Sequence, residues 1–119
     1  MSGSSKIFDN VGMDADRTSS VISMRAREFC GAQLEWTGTT PSGPWVFEAS
    51  VNYDRQQPSE ATWLPFTLAI TPSSPVGAAA GGALVDFTGV PYPYIRITWD
   101  RTAGGSGDKL NGWIDGKGK

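Results

Sequence analysis

Apolar side chains recur at every second position in several short stretches of this sequence, which is the spacing of a β-strand with one buried face. The pattern is clearest over 45–52, where the positions predicted to face inward are Trp45, Phe47, Ala49 and Val51. Weaker alternation marks 21–25, 33–36, 64–70, 85–87, 94–99 and 110–114. Helical spacing is not found in the sequence. An all-β chain of about seven to eight strands is therefore predicted.

The length of 119 residues matches one domain. Residues 1–20 are predicted to be an N-terminal arm or first strand, and 21–119 a single β-sandwich domain. The segments 37–44 (TGTTPSGP) and 102–109 (TAGGSGDK) are rich in turn residues. They predict two hairpins, one joining 34–36 to 45–51 and one joining the strand that ends at Trp99 to the last strand. The predicted fold class is an antiparallel β-sandwich, either jelly-roll or immunoglobulin-like.

Individual residues refine this picture. Trp36, Trp45 and Trp99 fall on the inward phase of their strands and are predicted core residues. Pro65 has no N–H to give to a ladder, so its strand is expected at a sheet edge. Cys30, the single cysteine, lies between Phe29 and Gly31 and is expected to be a buried, unreactive side chain.

Two segments fit a compact sandwich poorly. The stretch 71–83, TPSSPVGAAAGGA, is predicted to be a long loop or arm, because its small residues cannot fill a core. In the N-terminal segment, Ile7 and Phe8 belong to an apolar set too sparse to predict a strong strand, so this segment is expected to drape over a partner. Pro75 and Val76, in the stretch 71–83, are likewise expected to contact a neighbouring subunit.

Charge and hydropathy limit the partners. Ten basic residues oppose twelve acidic ones for a net charge of −2, and the basic residues are scattered, so nucleic acid is not an expected partner. The first residues lack the apolar stretch of a secretory signal, and no apolar run approaches the roughly 20 residues that span a bilayer. A membrane is therefore not expected as a partner either.

The sequence lacks most of the residue patterns that are typical of catalytic and metal-binding sites. With no histidine, the imidazole base of the usual hydrolase sites and the commonest zinc ligand are both missing. The stretch 104–109 departs from a phosphate-binding loop at the residues on both sides of its lysine. Asp14 and Asp16 are spaced as in a calcium loop, but the glycine at the sixth position and the closing glutamate of such a loop are missing. Four carboxylates on the predicted strands could in principle converge: Glu28, Glu35, Glu48 and Asp86. Most of them are expected on solvated strand faces instead, and no enzyme activity, cofactor or metal is predicted.

Aromatic residues outside the predicted core leave two hypotheses open. Trp63, Tyr92, Tyr94 and Trp113 are predicted to be exposed. Exposed aromatic rings stack on sugars, and they are equally typical of protein–protein interfaces. The full set of residues predicted to contact a partner is Ile7, Phe8, Trp63, Pro75, Val76, Tyr92, Tyr94 and Trp113.

From about Ser19 onward the chain resembles virion proteins of tailed bacteriophages. The likeness rests on QLEWTGTTPSGPWVFEASVNYD at 33–54, on the pair Trp63-Leu64 and on PYIRITWDRTAGGSG at 93–107. It implies a capsid decoration or cement protein, made in the host cytoplasm and held on the capsid surface of the virion. Its implied partners are the major capsid protein or other virion subunits, together with copies of itself. A tail or neck location, and a carbohydrate- or receptor-binding module of the tail or capsid exterior, remain alternatives.

Overall fold

The computed structural model describes residues 5–25, 27–38, 40–77 and 80–118, with only the backbone described at 27–29 and 117–118. Within these ranges the chain forms nine β-strands and one turn of 3-10 helix at Pro58–Glu60. The strands are β1 Ser5–Gly12, β2 Arg17–Thr18, β3 Ile22–Ser23, β4 Arg27–Trp36, β5 Trp45–Ser50, β6 Leu64–Phe66, β7 Gly81–Asp86, β8 Tyr94–Trp99 and β9 Lys109–Gly118. The prediction of an all-β chain is confirmed.

The strands form two antiparallel sheets. The four-stranded sheet has the order β1-β9-β4-β7, and the five-stranded sheet has the order β2-β8-β5-β6, with β3 also pairing with β8. Between the sheets lies one apolar core to which inward positions of both contribute, as the alternation predicts. Its most deeply buried large side chains include Met13, Leu34, Phe87, Ile95, Ile97, Trp99 and Leu110.

Both predicted hairpins are wrong. β4 pairs with β7 and β9, whereas β5 pairs with β6 and β8, so the 37–44 segment crosses from one sheet to the other. The segment after Trp99 crosses back in the same way, since β8 and β9 lie in different sheets. Turn residues mark where a strand ends, but they do not encode which sheet receives the next one.

The first crossing depends on a close backbone approach at Gly43. Its φ of +153° is one that residues with a side chain rarely adopt. A Cβ atom there would also lie 2.1 Å from the carbonyl oxygen of Asp100. Glycine is therefore required where the two crossing segments meet.

The N-terminal segment is a strand integrated into the core. β1 pairs with β9, and Ile7 and Phe8 are both buried although they are consecutive. The pairing shifts register on either side of Phe8, and Gly112 opposite it leaves room for both side chains. These irregularities break the period of two, which is why the sequence pattern under-predicted this strand. Residues 1–4 of the predicted arm lie outside the described residues.

Three predictions around the loops need adjustment. Val51, predicted to face inward, is 75% exposed, because β5 ends at Ser50. The predicted strand 64–70 is shortened to β6, which does lie at a sheet edge as Pro65 predicted. In the predicted 71–83 loop, Pro75 is buried, and the last residues, 81–83, belong to β7. Ala78 and Ala79 lie outside the described residues.

Candidate interaction surface

The outer face of the five-stranded sheet carries a cluster of aromatic and charged side chains. The strands supply Glu48 from β5 and Tyr94 and Arg96 from β8, at the positions that alternate with buried residues. Nearby segments add an arginine from after β3 and two aromatic rings from the 51–63 connection. We call this cluster the aromatic-arginine surface: Arg25, Glu48, Tyr53, Trp63, Tyr94 and Arg96.

Arg96 is the centre of one half of this surface. Its guanidinium carbon lies 4.4 Å from the ring centroid of Trp63, and its Nε donates a hydrogen bond of 3.0 Å to Oε1 of Glu48. The Arg96 and Glu48 side chains are only 29% and 21% exposed, so this ion pair is less screened by solvent than a typical surface pair. The ion pair holds the guanidinium group over the indole ring.

Tyrosines form the other half. The ring centroid of Tyr53 lies 5.8 Å from that of Trp63 and 5.1 Å from that of Tyr94. The guanidinium carbon of Arg25 lies 5.4 Å from the Tyr94 ring centroid, and its Nε donates to the Tyr94 hydroxyl at 3.1 Å. The rings and guanidinium groups thus make one continuous row across the sheet.

The connection 51–63 reaches this face because its two ends are tied together. Oδ1 of Asn52 accepts the backbone N–H of Thr62 at 2.9 Å and the hydroxyl of Ser50 at 2.8 Å. This bridge brings Tyr53 and Trp63 side by side over the sheet, although ten positions separate them in sequence. Side chains held by such contacts lose less conformational entropy on binding a partner.

The predicted partner-contact residues fall in four places on the surface and in the core. Trp63 and Tyr94 belong to the aromatic-arginine surface, and Tyr92 packs on Phe66 at the β6 edge with ring centroids 5.4 Å apart. Val76 is exposed beside its bridge to Ser42. Trp113 lies half-buried on the opposite sheet. The others are Ile7, Phe8 and Pro75, whose burial leaves no side-chain surface for a partner in this fold.

Four members of the surface were not among the residues predicted to contact a partner. Glu48 was considered from sequence only as a carboxylate on a strand face. Arg96 could have been identified from the sequence, because it is two positions from Tyr94 and therefore points to the same outward side of β8. Tyr53 lies in the connection that follows β5, and its neighbours in sequence do not reveal its contacts with Trp63 and Tyr94. Arg25 meets Tyr94 only through the pairing of β3 with β8.

A second candidate surface is a shallow groove on the outer face of the four-stranded sheet, with a volume of about 820 Å³. At its floor Gly31 has no side chain, and the residues opposite it on the flanking strands are Asp86 and Asp115. Trp113 lines the next row, with Nζ of Lys6 5.6 Å from its ring centroid. We call this the outer groove: Gly31, Gln33, Glu35, Leu84, Asp86, Trp113 and Asp115.

The carboxylates of Glu35, Glu48 and Asp86, which sequence analysis considered as a possible site, do not converge. Glu35 and Asp86 line the outer groove, while Glu48 lies on the other sheet. The side chain of Glu28 lies outside the described residues. Among the described residues, no group of three acidic or cysteine side chains is placed to hold a metal ion. The described ranges also contain no helix with the length and apolarity to cross a bilayer.

Asp108 ties the two sheet-crossing segments together. Its carboxylate accepts hydrogen bonds from the Thr40 hydroxyl and from the backbone N–H of Gly105, the latter at 2.9 Å. These bonds favour the charged form, with the Thr40 bond contributing most, and they lower the pKa of Asp108 below its ordinary value. The backbone carbonyl of the same residue accepts the N–H of Met13 at 2.9 Å.

Asp108→Asn is therefore expected to lower the melting temperature near neutral pH. Because the folded-state pKa is depressed, the charged carboxylate stabilises the fold above the unfolded pKa of about 4, and this contribution is lost as the pH falls through the lower folded value. The difference in melting temperature between wild type and variant should therefore disappear in acid. Circular dichroism melts at neutral and acidic pH measure this difference, with Asp100→Asn as the matched control. A difference in melting temperature that is constant with pH would contradict the prediction.

Comparison with solved structures finds this fold elsewhere. The chain is similar to SPBc2 prophage-derived protein YomS at a TM-score of 0.55 and 11% identity, covering 98% of this chain and 96% of that one. It also aligns with arabinosyltransferase EmbB from Mycobacterium smegmatis at a TM-score of 0.38 and 12% identity, over 97% of this chain and 12% of that one. The EmbB score is too low to indicate a common fold. No protein-family model matches the sequence. The search of curated proteins likewise finds no match.

Proposed function

We propose that this protein is a structural component of a tailed-phage particle, a decoration or cement protein that binds the shell of major capsid protein. The observation that carries the proposal is the correspondence with the prophage-derived protein YomS over nearly the full length of both chains. The pattern-level likeness to phage virion proteins supports the same assignment. In this role the protein acts by binding, and no catalytic step is needed.

The aromatic-arginine surface is the proposed contact with the shell. Tryptophan, tyrosine and arginine are the residue types that most often dominate binding energy at protein interfaces. Here they contact one another in one row on a sheet, so little conformational freedom is lost on docking. Two arginines against one glutamate favour an acidic or aromatic patch on the shell subunit.

Stabilisation of the shell follows from linkage. A protein that binds the assembled shell more tightly than its separated subunits raises the free energy needed to take the shell apart. Copies distributed over the capsid surface would each add such a contribution. We propose the capsid exterior as the location, reached after synthesis in the host cytoplasm.

The test uses shells of the phage that encodes this chain, prepared without it. Purified protein is expected to co-sediment with these shells, saturate a fixed number of sites and raise the temperature at which they disassemble. Bovine serum albumin at the same concentration is the control for trapping. Shells that neither bind the protein nor gain heat stability would refute the proposal.

A glycan-binding module of the tail or capsid exterior is the second candidate, and the outer groove is the observation that favours it. Trp113 borders a depression lined by amide and carboxylate side chains, which are groups that hydrogen-bond sugar hydroxyls. Glycan-array binding that is lost in Trp113→Ala and retained in Trp63→Ala would support this function. Binding to shells combined with silence on the array would support the structural one.

A further inference from the structure

β7 is an edge strand with regular geometry. It stands at the end of the four-stranded sheet and pairs with β4 from Gly31 opposite Asp86 to Trp36 opposite Gly81, without a register shift. In the part of the chain that the structure describes, no strand pairs with its other side. That side is therefore open to a further strand.

The hydrogen-bond alternation identifies which backbone groups face outward. The N–H of Phe87 donates to the carbonyl of Cys30 at 2.9 Å, which makes these two residues a hydrogen-bonded pair. In an antiparallel ladder such pairs alternate with non-bonded ones, so the N–H and C=O groups of Gly82, Leu84 and Asp86 point away from β4. These three residues offer donors and acceptors in the spacing that another antiparallel strand requires.

The other edges carry features that block strand addition. β1 is irregular in register at two places and exposes Lys6, and β6 has three residues with Pro65 in the middle. β2 and β3 have two residues each. β7 has six residues with neither lysine nor proline, and its Leu84 side chain is 77% exposed. Natural sheets usually protect such an edge from pairing with another chain.

An apolar side chain borders the edge from the other layer. Ile70 is 74% exposed and shares with Leu84 and Gly82 a groove of about 950 Å³ that runs beside β7. A strand added to β7 would cover part of this apolar surface. Its hydrogen bonds would thus be accompanied by hydrophobic burial.

We propose that β7 is a strand-addition edge and that its occupant is a second copy of this chain, joined by antiparallel β7–β7 pairing about a two-fold axis at Leu84. In this register Leu84 lies opposite the partner's Leu84, so the two exposed leucines bury one another. Asp86 lies opposite the partner's Gly82, which keeps the two carboxylates apart. The edge is therefore complementary to itself in apolar contact and brings no like charges opposite each other, and the dimer joins two four-stranded sheets into one.

Leu84→Lys tests the proposal, because the proposed register would place the new positive charge opposite the same charge in the other copy. The wild-type protein is expected to sediment as a dimer at high concentration, and Leu84→Lys as a monomer with an unchanged circular dichroism spectrum, because the side chain is exposed. Val51→Lys is the matched control, with a valine 75% exposed that lies off the edge, and it should remain dimeric. A monomeric wild type, a dimeric Leu84→Lys or a monomeric Val51→Lys would each overturn the proposal.

A cross-link locates the axis. Opposed residues of a hydrogen-bonded pair have Cα atoms about 5.5 Å apart, within the range that a disulfide spans. Leu84→Cys should form a covalent dimer on mild oxidation, and Val51→Cys should not. Absence of the Leu84→Cys cross-link would refute this register.

Dimerisation is measured on free protein, so a dimer that fails to bind shells would contradict the proposed function and leave this inference standing.

Discussion

Trp99→Ala is expected to destabilise the protein by about 3–5 kcal/mol, as for other large aromatic residues removed from a core. Trp99 is fully buried, and its Nε1 donates to the carbonyl of Gly43 at 3.2 Å. Alanine would leave a cavity between the sheets and remove the donor to a buried carbonyl. Since a domain is stable by about 5–15 kcal/mol in total, the variant should be partly unfolded or close to it.

Urea unfolding followed by far-ultraviolet circular dichroism measures this loss. Trp99→Phe keeps most of the ring volume but lacks the N–H, so its free energy of unfolding should lie between those of the wild type and Trp99→Ala. Trp113→Ala is the matched control, because that tryptophan is half-buried on an outer face. The expectation fails if Trp99→Ala and Trp113→Ala cost the same.

Trp63→Ala and Arg96→Ala are expected to weaken binding to shells by about 2 kcal/mol each, or roughly 30-fold in Kd, if the aromatic-arginine surface is the docking site. Removing the indole takes away the largest ring of the row. Removing the guanidinium also leaves Glu48, whose side chain is 21% exposed, without its ion-pair partner. The loss of binding free energy in the double variant should be smaller than the sum of the two single losses, because the two side chains touch.

Quantitative co-sedimentation with shells measures these affinities. Trp113→Ala, an aromatic truncation on the opposite sheet, is the matched control and should bind like wild type. Melting curves of each variant separate lost contacts from lost folding, because Trp63 also holds the 51–63 connection against the sheet. Wild-type affinity in both surface variants would place the contact elsewhere on the protein.

Local pattern was enough to predict some elements correctly. β8 alternates Ile95, Ile97 and Trp99 with polar residues over a regular stretch, and all three are buried. β1 was under-predicted because two register irregularities place consecutive apolar residues in the core. Periodicity is informative only where the pairing is regular.

The candidate surface was predicted in part for a related reason. Tyr94 and Trp63 were predicted from the sequence to be exposed aromatic residues, and both lie half-buried on the outer face of the sheet. Their neighbours were not, because Arg25 and Tyr94 are 69 positions apart and meet only when β3 pairs with β8. A side-chain row across a sheet is a property of register between strands.

The order of residues alone determined that this chain forms strands, which of their faces is apolar and where most strands end, because these follow from side-chain alternation and from turn residues within a few positions. Only the tertiary structure decided which strands pair, that both glycine-rich segments cross between sheets, and that β7 is left as an open edge. Strand pairing joins residues far apart in the chain, and many pairings satisfy the same alternation. The choice among them depends on how all the inward side chains pack together in one core.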